Sequence, residues 1–179
     1  MAAALVGPTL ILSDFLFRAN PVRACRMMYG VNPFPESIEI AQYIKKHSTQ
    51  EDKIAVIGSE PQIYFYANRK SATGYIYVYS LMESQDDASQ MQIDMIREIE
   101  KARPKYAVFV NVPTSWAQKP NSDTTIFKWA EVYFRMKYRT AGFLDIFPGG
   151  HSKAYWGDEA GKNRPTSRLN VFLFERRDE

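Results

Sequence analysis

Cysteine is nearly missing from this sequence: Cys25 stands alone, so neither an intrachain disulfide nor a cysteine-based metal site can form. It reads as a small buried apolar residue or a reactive thiol, and it leaves the redox compartment undecided. Histidine is almost as scarce. His47 and His151 lie far apart in polar surroundings, and neither belongs to a metal-binding spacing such as HExxH. There is no GxSxG elbow, no P-loop and no GxGxxG, so nucleophilic hydrolysis, phosphoryl transfer and dinucleotide binding lack their usual supports. A strong charge of either sign is also lacking: 23 basic against 20 acidic residues leave a net charge of +3, spread along the chain. That gives no indication of a nucleic-acid stripe and leaves room for weak attraction to an anionic lipid surface.

What is present is a packed globular composition. About 45% of the residues are hydrophobic and 14% aromatic, too apolar for disorder, and 179 residues suffice for one domain with a sizeable core. The first segment, MAAALVGPTLILSDFLF, is nearly apolar but shorter than the ~20 residues that cross a bilayer, and Pro8, Ser13 and Asp14 interrupt it. With no basic start and no cleavage site, it does not read as an intact signal peptide. It reads as the remnant of a membrane exit, with an N-terminal element packed on the core as the alternative. Residues 1–30 are therefore expected to be remnant and linker, and residues 31–179 one α/β domain. In the linker, Arg23 and Arg26 fall on one helical face, solvated or turned to lipid phosphates.

Two short, unalternating apolar runs carry the fold expectation. IAVI at 54–57, closed by Gly58, and AVFVNV at 107–112 read as strands covered on both faces, hence inside a parallel sheet. Between them Ala88, Met91, Met95, Ile99 and Ala102 recur at helical spacing until Pro104. A buried strand, a helix and a second buried strand form the βαβ signature. A helix opening at Pro35 is expected to bury Ile38, Ile40, Ala41, Tyr43 and Ile44, with His47 as a charge at its C-terminal end. A later helix is expected to carry Ile126, Trp129, Tyr133 and Met136 inward. Residues 73–79, 138–147 and 169–174 read as further strands, and 151–168 as a polar, mobile stretch. The expected core is Phe34, Ile40, Ile44, Ile54, Val56, Met95, Ile99, Val108, Val110, Ile126 and Trp129. The expected fold is a three-layer α/β sandwich with a mixed, mainly parallel central sheet, Rossmann-like without a dinucleotide motif.

Open α/β sheets bind ligands at the carboxyl ends of their strands, which directs attention to Gly58-Ser59-Glu60-Pro61-Gln62 and to the loop 113–123. Glu60 reads either as a cap on the helix opened by Pro61 or as an acid or base buried near Tyr64. Trp116 suits stacking on a sugar ring or covering a hydrophobic edge, and Arg69 with Lys70 suits a phosphate clamp or a solvated turn. The candidate ligand-binding residues are Ser59, Glu60, Gln62, Tyr64, Arg69 and Trp116. No catalytic residue, metal site or cofactor is expected.

The run GSEPQIYFYANRKSATGYIYVYSLME, preceded by NPFPESIEIAQYIKKHS and followed by ARPKYAVFVNV and the Ser115-Trp116 pair, resembles the soluble C-terminal region of certain bacterial membrane glycosyltransferases. These use polyprenyl-phosphate-linked sugars and are relatives of protein O-mannosyltransferases and aminoarabinose transferase. The resemblance runs from Phe15 to the C-terminus. In that class catalysis lies in a bundle of transmembrane helices whose extracytoplasmic loops carry an acidic base, outside the resembling stretch. The resemblance therefore implies a noncatalytic domain at the extracytoplasmic, periplasmic face of the inner membrane, soluble as an isolated fragment and inactive alone. Its implied partners are the membrane-embedded portion of the same parent and a lipid-linked sugar or acceptor glycan, with no nucleic acid. The alternative is an independent small-molecule-binding or transferase α/β domain in the cytoplasm.

Overall fold

The computed structural model describes residues 7 and 10–177. Most of the reading of the first apolar segment as a membrane exit rests on residues 1–9, of which 1–6, 8 and 9 lie outside the described residues. Among the described residues no helix is long and apolar enough to cross a membrane. The elements in order are α1 (Ser13–Phe17), α2 (Pro21–Tyr29), α3 (Phe34–His47), β1 (Lys53–Ile57), α4 (Gln62–Ala67), β2 (Lys70–Ser71), α5 (Ala88–Ala102), β3 (Tyr106–Asn111), α6 (Thr125–Lys137), β4 (Tyr138–Ile146), β5 (Ser152–Trp156), α7 (Asp158–Lys162) and β6 (Leu169–Arg176). Single 3₁₀ turns, Tyr79–Met82 and Pro113–Ser115, precede α5 and follow β3.

The chain is a mixed α/β protein built on one open six-stranded sheet in the order β2-β1-β3-β6-β4-β5. The two apolar runs do pair side by side and in parallel, Ile54 opposite Tyr106 through Ile57 opposite Phe109. The expectation of a mainly parallel sheet fails, however. β2, β1 and β3 are parallel, but β3 with β6, β6 with β4 and β4 with β5 are all antiparallel, and these ladders are the longer ones. The reason is connectivity: β4 and β5 are joined by the short turn at 147–151, which only an antiparallel pair permits.

Alternation along β1 and β3 divides the core between two faces of the sheet. Ile54, Val56, Val108 and Val110 pack with Ile40, Ala41 and Ile44 of α3 and with Ile63 and Ala67 of α4. Ala55, Ile57 and Ala107 pack on the other side with Met95 and Ile99 of α5 and with Ile126, Ala130 and Phe134 of α6. Helices on both faces explain why these strands read as continuous apolar runs. Nine of the eleven expected core residues are fully buried, whereas Phe34 and Trp129 are only partly so.

Four local expectations change. Residues 73–79 form no strand, because side chains capture their backbone: Gly74 N–H donates to Glu98 Oε2, Tyr75 N–H to Thr73 Oγ1 and Val78 N–H to Ser59 Oγ. In this region only β2, just upstream, forms strand pairs, at the outer edge of β1. The buried face of α6 runs through Ile126, Ala130 and Phe134, leaving Met136 exposed, and Ile38 of α3 is 41% exposed. The stretch 151–168, expected to be mobile, contains β5 and α7. As a short edge strand whose first two residues are exposed, β5 (SKAYW) gives no strong sequence signal.

Candidate functional site

The turn after β1 and the 3₁₀ turn after β3 meet because their strands are neighbours ending at the same side of the sheet. Ser115, buried in the second turn, ties them together. Its Oγ accepts from Ser59 N–H at 2.9 Å and donates to Glu60 Oε2 at 2.7 Å. Ser59 Oγ in turn accepts from Val78 N–H at 3.2 Å, which brings the Tyr77–Tyr79 stretch to the same place. Residue 58 has to be glycine, since a Cβ there would lie 2.5 Å from Glu60 Oε2 and 2.7 Å from Val110 Cγ2. The missing side chain is the space over which the Glu60 carboxyl folds back.

Glu60 is 4% exposed and makes no side-chain bond to cap α4, so the simple capping role does not apply. Burial pushes its carboxyl up to about 7 from the ordinary 4.5, against the opposing hydrogen bonds from Ser115 and the Ser59 backbone. A carboxyl poised at neutral pH can either give or take a proton.

Beside it opens a cavity of about 190 Å³. One wall is the 58–62 turn with Gln62, whose Nε2 donates to Ser37 Oγ at 3.0 Å. Asn32 and Phe34, at the start of α3, form another. Tyr77 and Tyr79 close the third, their rings 4.5 Å apart and tilted by 47°. Thr114 completes it: its carbonyl accepts from Tyr79 O–H at 2.5 Å, and its hydroxyl donates to Asn32 Oδ1. Asn32, Tyr79 and Thr114 also border a larger cavity of about 740 Å³ and so stand between the two.

The structure thus brings together Ser59, Glu60 and Gln62 from the expected set and adds Asn32, Tyr77, Tyr79, Thr114 and Ser115. The other three candidates lie elsewhere. Tyr64 is turned to the sheet edge, where its hydroxyl accepts from Val56 N–H at 2.9 Å beyond the end of the short β2. Burial raises its pKa. Arg69 is 8% exposed and donates to Ser48 Oγ and to the carbonyls of Lys45, Ser48, Ala67 and Asn68, so it caps the C-terminal ends of α3 and α4 and has no donor left for a phosphate. Trp116 is 4% exposed. Its indole donates to Val110 O at 2.7 Å and packs edge-on against Phe127, bordering the larger cavity and not the one beside Glu60.

The added residues had faint signals. Ser115 stands at the strand end that the crevice rule marks, but Asn32 and the tyrosines enter only through tertiary contacts. Among the described residues no group of histidine, cysteine or carboxylate side chains can hold a metal ion. His47 bonds the Tyr43 carbonyl within its own helix, and His151 stacks on Phe147, so Glu60 and Ser115 have no imidazole partner for a triad. Neither a family model nor a curated protein nor a solved structure matches this chain.

Proposed function

We propose that this chain is the noncatalytic extracytoplasmic domain of a bacterial membrane glycosyltransferase that draws on polyprenyl-phosphate sugars, and that it assists the handling of donor or acceptor above a membrane-embedded active site. One observation carries the reading. The strings that bear the resemblance, GSEPQ, YIYVY and the Ser115 position, are up to 57 residues apart in sequence yet converge on the cavity beside Glu60. A resemblance confined to core positions would point to folding alone, whereas polar and aromatic groups around a cavity point to a ligand. Glu60 and Ser115, hydrogen-bonded at 2.7 Å, have no imidazole to complete a triad, which favours an accessory role over triad hydrolysis. In the same reading the fold is a three-layer, Rossmann-like sandwich without a dinucleotide motif, supported by the helices that pack on both sheet faces. The partners are then the membrane portion of the same parent and a lipid-linked sugar or acceptor glycan at the periplasmic face of the inner membrane.

The test is biochemical. The purified chain, given polyprenyl-phosphate sugars and candidate glycan acceptors, is expected to transfer no sugar, and the genomic reading frame is expected to extend upstream through several hydrophobic segments. Turnover by the chain alone, or a start signal at Met1 with no such segments, would favour the independent cytoplasmic transferase or binding domain instead.

A further inference from the structure

We infer that the cavity beside Glu60 is a subsite for a single neutral, hydroxylated ring, a sugar, and not for a phosphate group. The inference rests on the accessory-domain reading for its choice of sugar among polyols. The cavity geometry carries the rest.

Charge is the first argument. Among the described residues no lysine, arginine or histidine lines the cavity, and its one carboxyl, Glu60, has no cationic partner. An anion entering here would meet no compensating cation and, as pH rises through about 7, an increasingly ionised carboxyl, a juxtaposition unfavourable at low dielectric. Ser59 N–H, a backbone donor of the cavity wall, is already engaged by Ser115 Oγ and the Glu60 carboxyl, and Arg69, the expected phosphate clamp, is fully engaged in capping helices.

Hydrogen-bonding capacity is the second. Ser115 occupies Glu60 Oε2, which leaves Oε1 to accept. Gln62 Nε2 gives one of its two N–H groups to Ser37, which leaves the other N–H to donate and the carbonyl oxygen to accept. Asn32 adds donors, for its oxygen accepts from Thr114 and its NH₂ group remains to donate. A hydroxyl both donates and accepts and so matches this mixture. An ammonium ion would satisfy Glu60 but offers no acceptor to Asn32.

Shape is the third. Tyr77 is 48% exposed and forms with Tyr79 an apolar wall suited to the C–H face of a ring. At about 190 Å³ the cavity falls below the ~300 Å³ from which drug-sized sites begin, so one ring is its natural occupant. At neutral pH the raised Glu60 carboxyl supplies a proton donor as well as acceptors, again a match for hydroxyls.

The experiment is an amide NMR titration of the chain with three probes at equal ionic strength: methyl glucoside, inorganic phosphate and ethylammonium. Methyl glucoside is expected to give saturable shifts at Ser59, Glu60, Gln62 and Ser115, and the other two none there. Tyr77→Ala, at a half-exposed position that leaves the core intact, should weaken the glucoside response about tenfold, the equivalent of one aromatic contact. Saturable shifts with phosphate or ethylammonium in place of the glucoside overturn the assignment, as does no response to the glucoside up to about 100 mM, where even contacts worth only a few kcal/mol register. Sugar transfer by the chain, measured separately, would overturn the noncatalytic reading while leaving the subsite intact. A membrane-spanning frame upstream combined with a silent titration would do the reverse.

Discussion

Two glutamates, Glu36 and Glu60, are buried to nearly the same degree, 1% and 4% exposed, yet the molecule treats them in opposite ways. Glu36, in the first turn of α3, forms an ion pair with Arg26 of α2. Arg26 also donates to the carbonyls of Gly30, Asn32 and Gly150, so one guanidinium joins α2, the start of α3 and the turn between β4 and β5. Glu60 receives only hydroxyl and backbone donors and stands next to open space. The first is a fastening, which contributes by having its charge matched. The second is a group held away from water without a counter-charge, the condition that marks a site more often than a scaffold.

The sharpest way to break the comparison is to make Glu36 resemble Glu60. Arg26→Ala leaves a carboxylate buried without its cation and releases the 147–150 turn. Urea unfolding should register a loss of about 3–5 kcal/mol, since removing one partner of a buried pair strands the other. A loss below about 1 kcal/mol would mean that Glu36 is rehydrated or neutralised at little cost.

The converse change relieves Glu60. Its folded-state pKa, about 7, lies above the ordinary 4.5, so between those values the folded chain holds more protons than the unfolded one. Its contribution is therefore fully present in acid and is lost as pH rises from about 4.5 to 7. Glu60→Gln keeps an acceptor for the Ser115 hydroxyl but removes the charge. It should match the parent near pH 4.5 and exceed it at pH 8 by about 1–3 kcal/mol, the order of magnitude set by that shift. Equal stability across the range would deny the buried, uncompensated state.

A far smaller effect is expected at Arg23, whose pair with Asp14 at 2.6 Å has both side chains well exposed. Arg23→Ala should cost less than about 0.5 kcal/mol, because water screens such pairs. A loss comparable to that of Arg26→Ala would dissolve the distinction between buried and exposed contacts of α2.

The same contrast explains what the sequence could reveal. β1, β3 and α5 were legible because burial on both faces of a sheet, or on one face of a helix, leaves a periodic apolar trace, as in IAVI and in Met95 with Ile99. The Gly58–Glu60 position was legible because it follows a buried strand. Of the antiparallel half, β4 and β6 were legible as strands, but the short β5 was not, and the order in which strands pair is set by tertiary contacts. Within the site, Arg69 and Trp116 misled for one reason: a polar or aromatic residue near a strand end looks the same whether it faces a cavity or closes a helix and covers the core. Asn32 and Tyr77 escaped notice because a wall contributed by three distant segments has no local pattern.

The most direct test of this account is a carbon-detected NMR titration of the Glu60 side-chain carboxyl in the intact chain. Among the described residues Glu60 is the one carboxyl that lines the cavity, and its side-chain carbon reports that group directly. The account predicts a midpoint at about 7. A midpoint near the ordinary 4.5 would contradict it, since it would mean that water or a cation reaches the carboxyl and that Glu60 is matched in the same way as Glu36.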